Sequence, residues 1–201
     1  ERLSEIYSMH CSSEYKGSPL NNFYTSKIKE ETGISAIEML QQGYRIGFIA
    51  SGDNHQGAPG ISGKPGRFTN LAYTQGLAAV FSPELNRQAI FDGLYERHCY
   101  ATTGARIYLD FQIDSRPMGS ELKARKGDTL SYQIKVGGTD QIAKIEFIRD
   151  GNLLLLWSHD GSEYVKLKGD LKFDRSSWLY VRVIQIDRHM AWSSPIWVDV
   201  N

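Results

Sequence analysis

The sequence predicts an α/β segment followed by an all-β segment, and two patterns carry that expectation. Up to about Gly104, short continuous apolar runs alternate with stretches of helical spacing; from Ala105 onward, apolar and polar residues alternate strictly between tight turns. The chain has 201 residues, room for one large unit or two small ones. The change of period divides it into 1–104 and 105–201.

In the first part, Glu5-Ile-Tyr-Ser8 reads as a short strand. The polar stretch 12–32, with Gly17, Pro19, Asn21 and Asn22, reads as a loop carrying a short helix around Ser26–Glu31. Ser35 and Glu38 form a capping box, in which each side chain satisfies an amide left open at a helix start. Ile37, Leu40 and Tyr44 follow at helical spacing, and Gly43 is the expected stop. Ile46-Gly-Phe-Ile-Ala50 is a continuous apolar run, as in a strand buried on both faces of a parallel sheet. Leu77–Phe81 is a second such strand. Ser82 and Pro83 are expected to cap and open a helix whose apolar face is Leu85, Ala89, Ile90 and Leu94. This order predicts parallel connections, in a segment too short for an eight-unit barrel of about 250 residues.

In the second part, Ile107, Leu109, Phe111 and Ile113 share one face, and Leu130, Tyr132, Ile134 and Val136 repeat the pattern. Asp150-Gly and Asp160-Gly mark turns. Further strands are expected near 143–149, 153–158, 163–168, 178–186 and 196–200. Some seven short strands predict a β-sandwich, with an immunoglobulin-like layout first among the choices. Trp157, Trp178, Trp192 and Trp197 all lie here, and read either as core packing or as a sugar-binding aromatic platform.

Lysine plus arginine equals aspartate plus glutamate, at 23 each, so no basic stripe points to nucleic acid. No apolar run approaches the roughly 20 residues that span a bilayer as a helix. Cys11 and Cys99 make no C-x-x-C pair and read as two reduced thiols or, alternatively, as one disulfide.

The chemistry-bearing run is Ser51-Gly-Asp-Asn-His55, which leaves the end of the Ile46–Ala50 strand. Ligands of α/β folds bind beyond the carboxyl ends of strands. In an extended segment Asp53 and His55 would point the same way, and carboxylate plus imidazole suits Zn²⁺, Mn²⁺ or Fe²⁺. The competing reading is a turn with a solvated aspartate and histidine. His10 follows the Glu5–Ser8 strand, with Glu14 four residues on. Gly57, Gly60, Gly63 and Gly66, with Lys64 and Arg67, do not spell a nucleotide P-loop; they read as a flap, with Arg67 facing an anionic substrate, or as a plain loop. Ser51 lacks the G-x-S-x-G setting of a serine hydrolase. His98 is expected at a helix end as a structural cation, and His159 and His189 as surface residues of turns.

Taken together, Glu5-Ile-Tyr-Ser-x-His10 with Glu14, the run Gly43 to His55, Ala58-Pro-Gly60, Ser82-Pro-Glu-Leu85 to Leu94, and Tyr100-Ala-Thr-Thr-Gly-Ala-Arg106 resemble the later part of the PHP (polymerase and histidinol phosphatase) family, in its larger bacterial form with a β-sandwich tail. The resemblance covers about residues 3–120. It implies part of a distorted β/α barrel and a cluster of divalent metals at the strand ends, with Asp53, His55 and His10 as ligands. Glu5 and Glu14 would stand behind the ligands or face substrate. It also implies hydrolysis of a small-molecule phosphoester, amide or carbamate by metal-activated water. The family opens with a His-x-His motif; the five histidines here, at 10, 55, 98, 159 and 189, contain none. Cys11 stands where the pattern has glycine. The resemblance therefore implies a chain that holds metal weakly by itself, works with a missing upstream segment, and self-associates through exposed strand edges. A non-catalytic binding module, carbohydrate-binding through the sandwich, is the alternative from another class.

Overall fold

The computed structural model describes residues 1–8, 11–18, 35–53, 57, 75–158 and 160–201. Among them strands account for 52% and helices for 9%, so the chain is β-dominated, more so than the first part's pattern predicts.

The first layer is a three-stranded sheet. Strand β1 (Leu3–Ser8) pairs antiparallel with the two-residue β2 (Cys11–Ser12) and parallel with β3 (Gly47–Ala50). Helix α1 (Ala36–Gln41) starts at the capping box expected of Ser35 and Glu38, and Gly43 follows its C-cap at φ +90°. The first turn is also closed from outside: Ala36 N–H donates to Ser13 O and Ile37 N–H to Glu14 O. That use of open helix amides fixes the 13–14 loop against α1.

The second layer is an eight-stranded sheet. Its main path runs β11 (Asn152–Ser158), β10 (Ile142–Arg149), β13 (Ser177–Gln185), β14 (Met190–Ser193), β5 (Cys99–Thr102), β4 (Leu77–Val80). Strand β15 (Ile196–Val200) pairs with β13 and, in parallel, with β8 (Glu121–Ala124). This sheet crosses position 104, because β5 pairs with β14 through Thr102 opposite Ala191 and Tyr100 opposite Ser193. The third layer is a four-stranded sheet, β12 (Tyr164–Phe173), β9 (Asp128–Gly137), β6 (Tyr108–Ile113), β7 (Arg116–Pro117).

Two cores separate the layers. Leu109, Phe111, Ile134, Val136, Ile145, Phe147, Val181 and Val183 interlock between the second and third layers. Ile6, Phe48, Ala36, Leu40, Ile148, Trp178, Tyr180 and Trp192 fill the space between the first and second. Strand β13 belongs to both, its odd and even residues turned to opposite cores, so neither face is wet.

Several expectations are corrected. Helix α2 (Arg87–Tyr95) begins at Asn86, whose side chain accepts Ala89 N–H, and not at Ser82; Leu85 is fully exposed before it. Ser82 Oγ is instead used locally, donating to Glu84 O. Across α2 the strands run antiparallel, Leu77 opposite Thr102, where parallel pairing was expected. Arg97 at φ +62° reverses the chain after the helix. Strands β2, β5, β7, β8 and β14 were not anticipated. They are two to four residues long, too short to show a period. The helix expected at Ser26–Glu31 lies outside the described residues.

Candidate functional site

Parallel pairing of β1 and β3 sets Tyr7 opposite Ala50, so the two chains leave the sheet side by side. One exit leads toward His10, the other through Ser51 and Gly52 to Asp53 and His55. His10, His55 and Arg67 lie outside the described residues. Asp53 is exposed at φ +46°. The extended geometry expected for the Asp-x-His pair is thus corrected: the chain turns at Asp53, in the left-handed region that aspartate tolerates better than most residues. Glu5, exposed on β1, accepts a hydrogen bond from Ser51 Oγ and ties the two exits together.

Gln75 joins the same end. A Cβ on Gly76 would stand 2.7 Å from Ala50 Cβ and 3.0 Å from Ser51 N and O, so only glycine lets the 75–76 backbone lie against the exit of β3. Gln75 is buried, and its Oε1 has no hydrogen-bond partner among the described residues. A buried acceptor left open costs about 1–3 kcal/mol. No motif in the sequence signals Gln75. Among the described residues, no group of three His, Cys, Asp or Glu side chains is placed to hold a metal.

Glu14 does something else. It is 1% exposed and its carboxylate accepts from Tyr180 Oη at 2.6 Å, Arg182 Nη1 at 2.7 Å and Trp192 Nε1 at 2.9 Å. Arg182 also meets Glu146 at 2.5 Å. Burial works against the Arg182 charge, but Glu14 outweighs it and the guanidinium pKa is raised. Burial and then the Glu14 charge push the Tyr180 phenol well up. Glu14 was expected to stand behind the ligands or to face substrate; its carboxylate is buried and joins the first layer to β13 and β14. Three donors converging on one buried carboxylate are an anchor that spacing in sequence, 166 to 178 residues away, does not reveal.

The remaining candidates settle as follows. His98 follows α2, and burial lowers its pKa, which works against the charge expected at a helix end. His189 is half-buried, Nδ1 2.9 Å from Thr103 Oγ1, which also accepts Met190 N–H; it fixes a turn where a surface residue was expected. His159 lies outside the described residues. Neither cysteine is in a disulfide among the described residues, and burial pushes Cys99 up to about 11. Cys11 sits at φ +87°, a backbone region that favours glycine. Trp178, Trp192 and Trp197 are buried between the first two layers, leaving only Trp157 half exposed. No helix among the described residues is long and apolar enough to cross a membrane.

The family described as "Protein of unknown function (DUF3604)" matches residues 64–115. An uncharacterized protein of Chlamydia pneumoniae is 37% identical over all of this chain, which covers 35% of that relative. Uncharacterized proteins of Chlamydia trachomatis and Chlamydia muridarum are 36% and 35% identical with the same coverage. The chain thus spans about a third of the length of the curated relatives it matches. Among solved structures, the sulfur carrier protein SoxY of Chlorobium limicola is similar at 10% identity and a TM-score of 0.35, over 47% of this chain and 78% of that one. A fibronectin(III)-like module of Clostridium thermocellum CbhA is similar at 19% and 0.32, over 45% and 93%.

Proposed function

We propose that this chain is the later part of a PHP-type metal-dependent hydrolase, acting on a small-molecule phosphoester, amide or carbamate. In this reading the first layer is the end of a distorted β/α barrel, and the strands that follow are an immunoglobulin-like sandwich. The observation that carries it is the parallel pair β1–β3, with Tyr7 opposite Ala50: two strand ends side by side are where α/β enzymes gather ligands. Asp53, His55 and His10 would hold a divalent Zn, Mn or Fe ion, with further ligands from upstream polypeptide. Bound metal would supply an activated water near neutral pH. The described residues fit this role in part. Asp53 offers an exposed carboxylate, Glu5 braces the exit through Ser51, and the open Gln75 acceptor suits a donor on substrate or water.

Elemental analysis of the full-length gene product and of the 201-residue chain, each with and without Asp53→Ala, tests it. Stoichiometric metal in the long wild type, a marked loss with Asp53→Ala and little metal in the short chain are expected. Equal metal in wild type and Asp53→Ala overturns the assignment.

A further inference from the structure

We propose that the outer face of β11 is the docking surface for an amphipathic helix supplied by polypeptide flanking these 201 residues. Strand β11 is the edge of the eight-stranded sheet and reads Asn-Leu-Leu-Leu-Leu-Trp-Ser. Leu155 and Trp157 turn inward to the core between the second and third layers. Leu153, Leu154 and Leu156 stay 55%, 42% and 47% exposed. Edge strands are ordinarily protected by charge or proline; β11 carries neither.

The face concerned continues an interface already formed. Leu153 lies opposite Ile148, which is buried in the core beneath α1. A Cβ on Gly151, in the β10–β11 turn, would stand 3.4 Å from Ile37 Cγ2, so α1 reaches this turn and stops. Strands are about 4.8 Å apart and packed helices about 8–10 Å, so one helix covers about two strands. The next helix of the layer would then lie over β11. Lys144 and Asn152, both exposed, give the leucines a polar rim, as at docked interfaces.

The occupant is not a second β11. Phe147 faces Leu155 while Ile148 faces Leu153, which leaves Leu154 as a bulge, and a bulge twists an edge away from strand addition. The Chlamydia relatives match the whole of this chain with 35% of their own length, so proteins of this kind carry ample further polypeptide.

The test places a photoreactive benzoylphenylalanine at position 156 of the full-length gene product and maps the cross-links by mass spectrometry. In parallel, Leu154→Lys with Leu156→Lys is melted in the full-length and 201-residue forms. A cross-link to flanking residues of the same chain is expected, with a Tm loss of roughly 5 °C or more in the long form and within about 1 °C in the short one. A cross-link to a second copy, no cross-link with an unchanged Tm in the long form, or a gene product with nothing outside these residues overturns the proposal.

Discussion

Replacing Glu14 with alanine tests the joint between the first layer and the central sheet. The change strips the common acceptor from Tyr180, Arg182 and Trp192, all at 2.6–2.9 Å. Hydrogen bonds to a charged group contribute about 1.5–3 kcal/mol each, but three on one carboxylate are not additive. Removing one partner of a buried ion pair costs about 3–5 kcal/mol. Arg182 keeps Glu146 at 2.5 Å, which holds the loss to the lower part of that range, about 3–4 kcal/mol. For a chain of this size that is a Tm drop of roughly 6–16 °C. Tryptophan emission gives a second readout, since Trp178, Trp192 and Trp197 are buried at this joint: loosening the layer shifts the emission to the red before the rest of the chain melts. Tyr180→Phe, which removes one donor and leaves the other two in place, should cost about 1–2 kcal/mol. A Glu14→Ala loss below about 1 kcal/mol, or an unchanged emission maximum, would refute the assignment of Glu14 as the anchor.

Two further outcomes follow from single residues. Cys11→Gly relieves a side chain held at φ +87°, worth about 1–2 kcal/mol, against about 0.5–1 kcal/mol of added chain entropy; urea melts should show a net gain of about 0.5–1 kcal/mol, and a loss would show that the thiol is needed where it stands. Burial lowers the pKa of His98 in the fold, so the unfolded chain binds the extra proton first. Stability from this group is present above its ordinary value of 6.5 and is lost as pH falls through the window below it; His98→Gln should flatten the urea midpoint there, and an unchanged pH profile would contradict it.

The parts of this fold legible in the sequence are those where one physical demand acts locally. The Ser35–Glu38 box announces α1 because both partners lie within one turn. The alternation through Ile107–Ile113 announces β6 because one side is apolar core and the other is polar. Strand β13 is dry on both sides, so its residues show no clean apolar–polar period. The antiparallel β4–β5 pair was misjudged because α2 between them looked like a crossover, and the feature that reverses the chain is the left-handed Arg97, which no residue preference announces. At the candidate site, Asp53 was singled out for its position after the apolar run Ile46–Ala50, and Glu5 through the family resemblance. Glu14 was picked for its spacing from His10, and spacing cannot show three donors from β13 and β14 waiting on the far side of a core. Gln75 was not singled out, because its burial against the exit of β3 is a property of packing alone.

The Glu14 anchor also sets a timetable. Its partners Tyr180, Arg182 and Trp192 lie 166 to 178 residues further along the chain. At about 5–20 residues per second, a ribosome needs roughly 10–30 s to deliver them. Throughout that interval a nascent carboxylate has no interior to enter, and Ile6 and Phe48 have no tryptophans to close over them. The first layer is completed only when β13 and β14 arrive, so its apolar surface is open to chaperones or to misassembly for the whole of that interval.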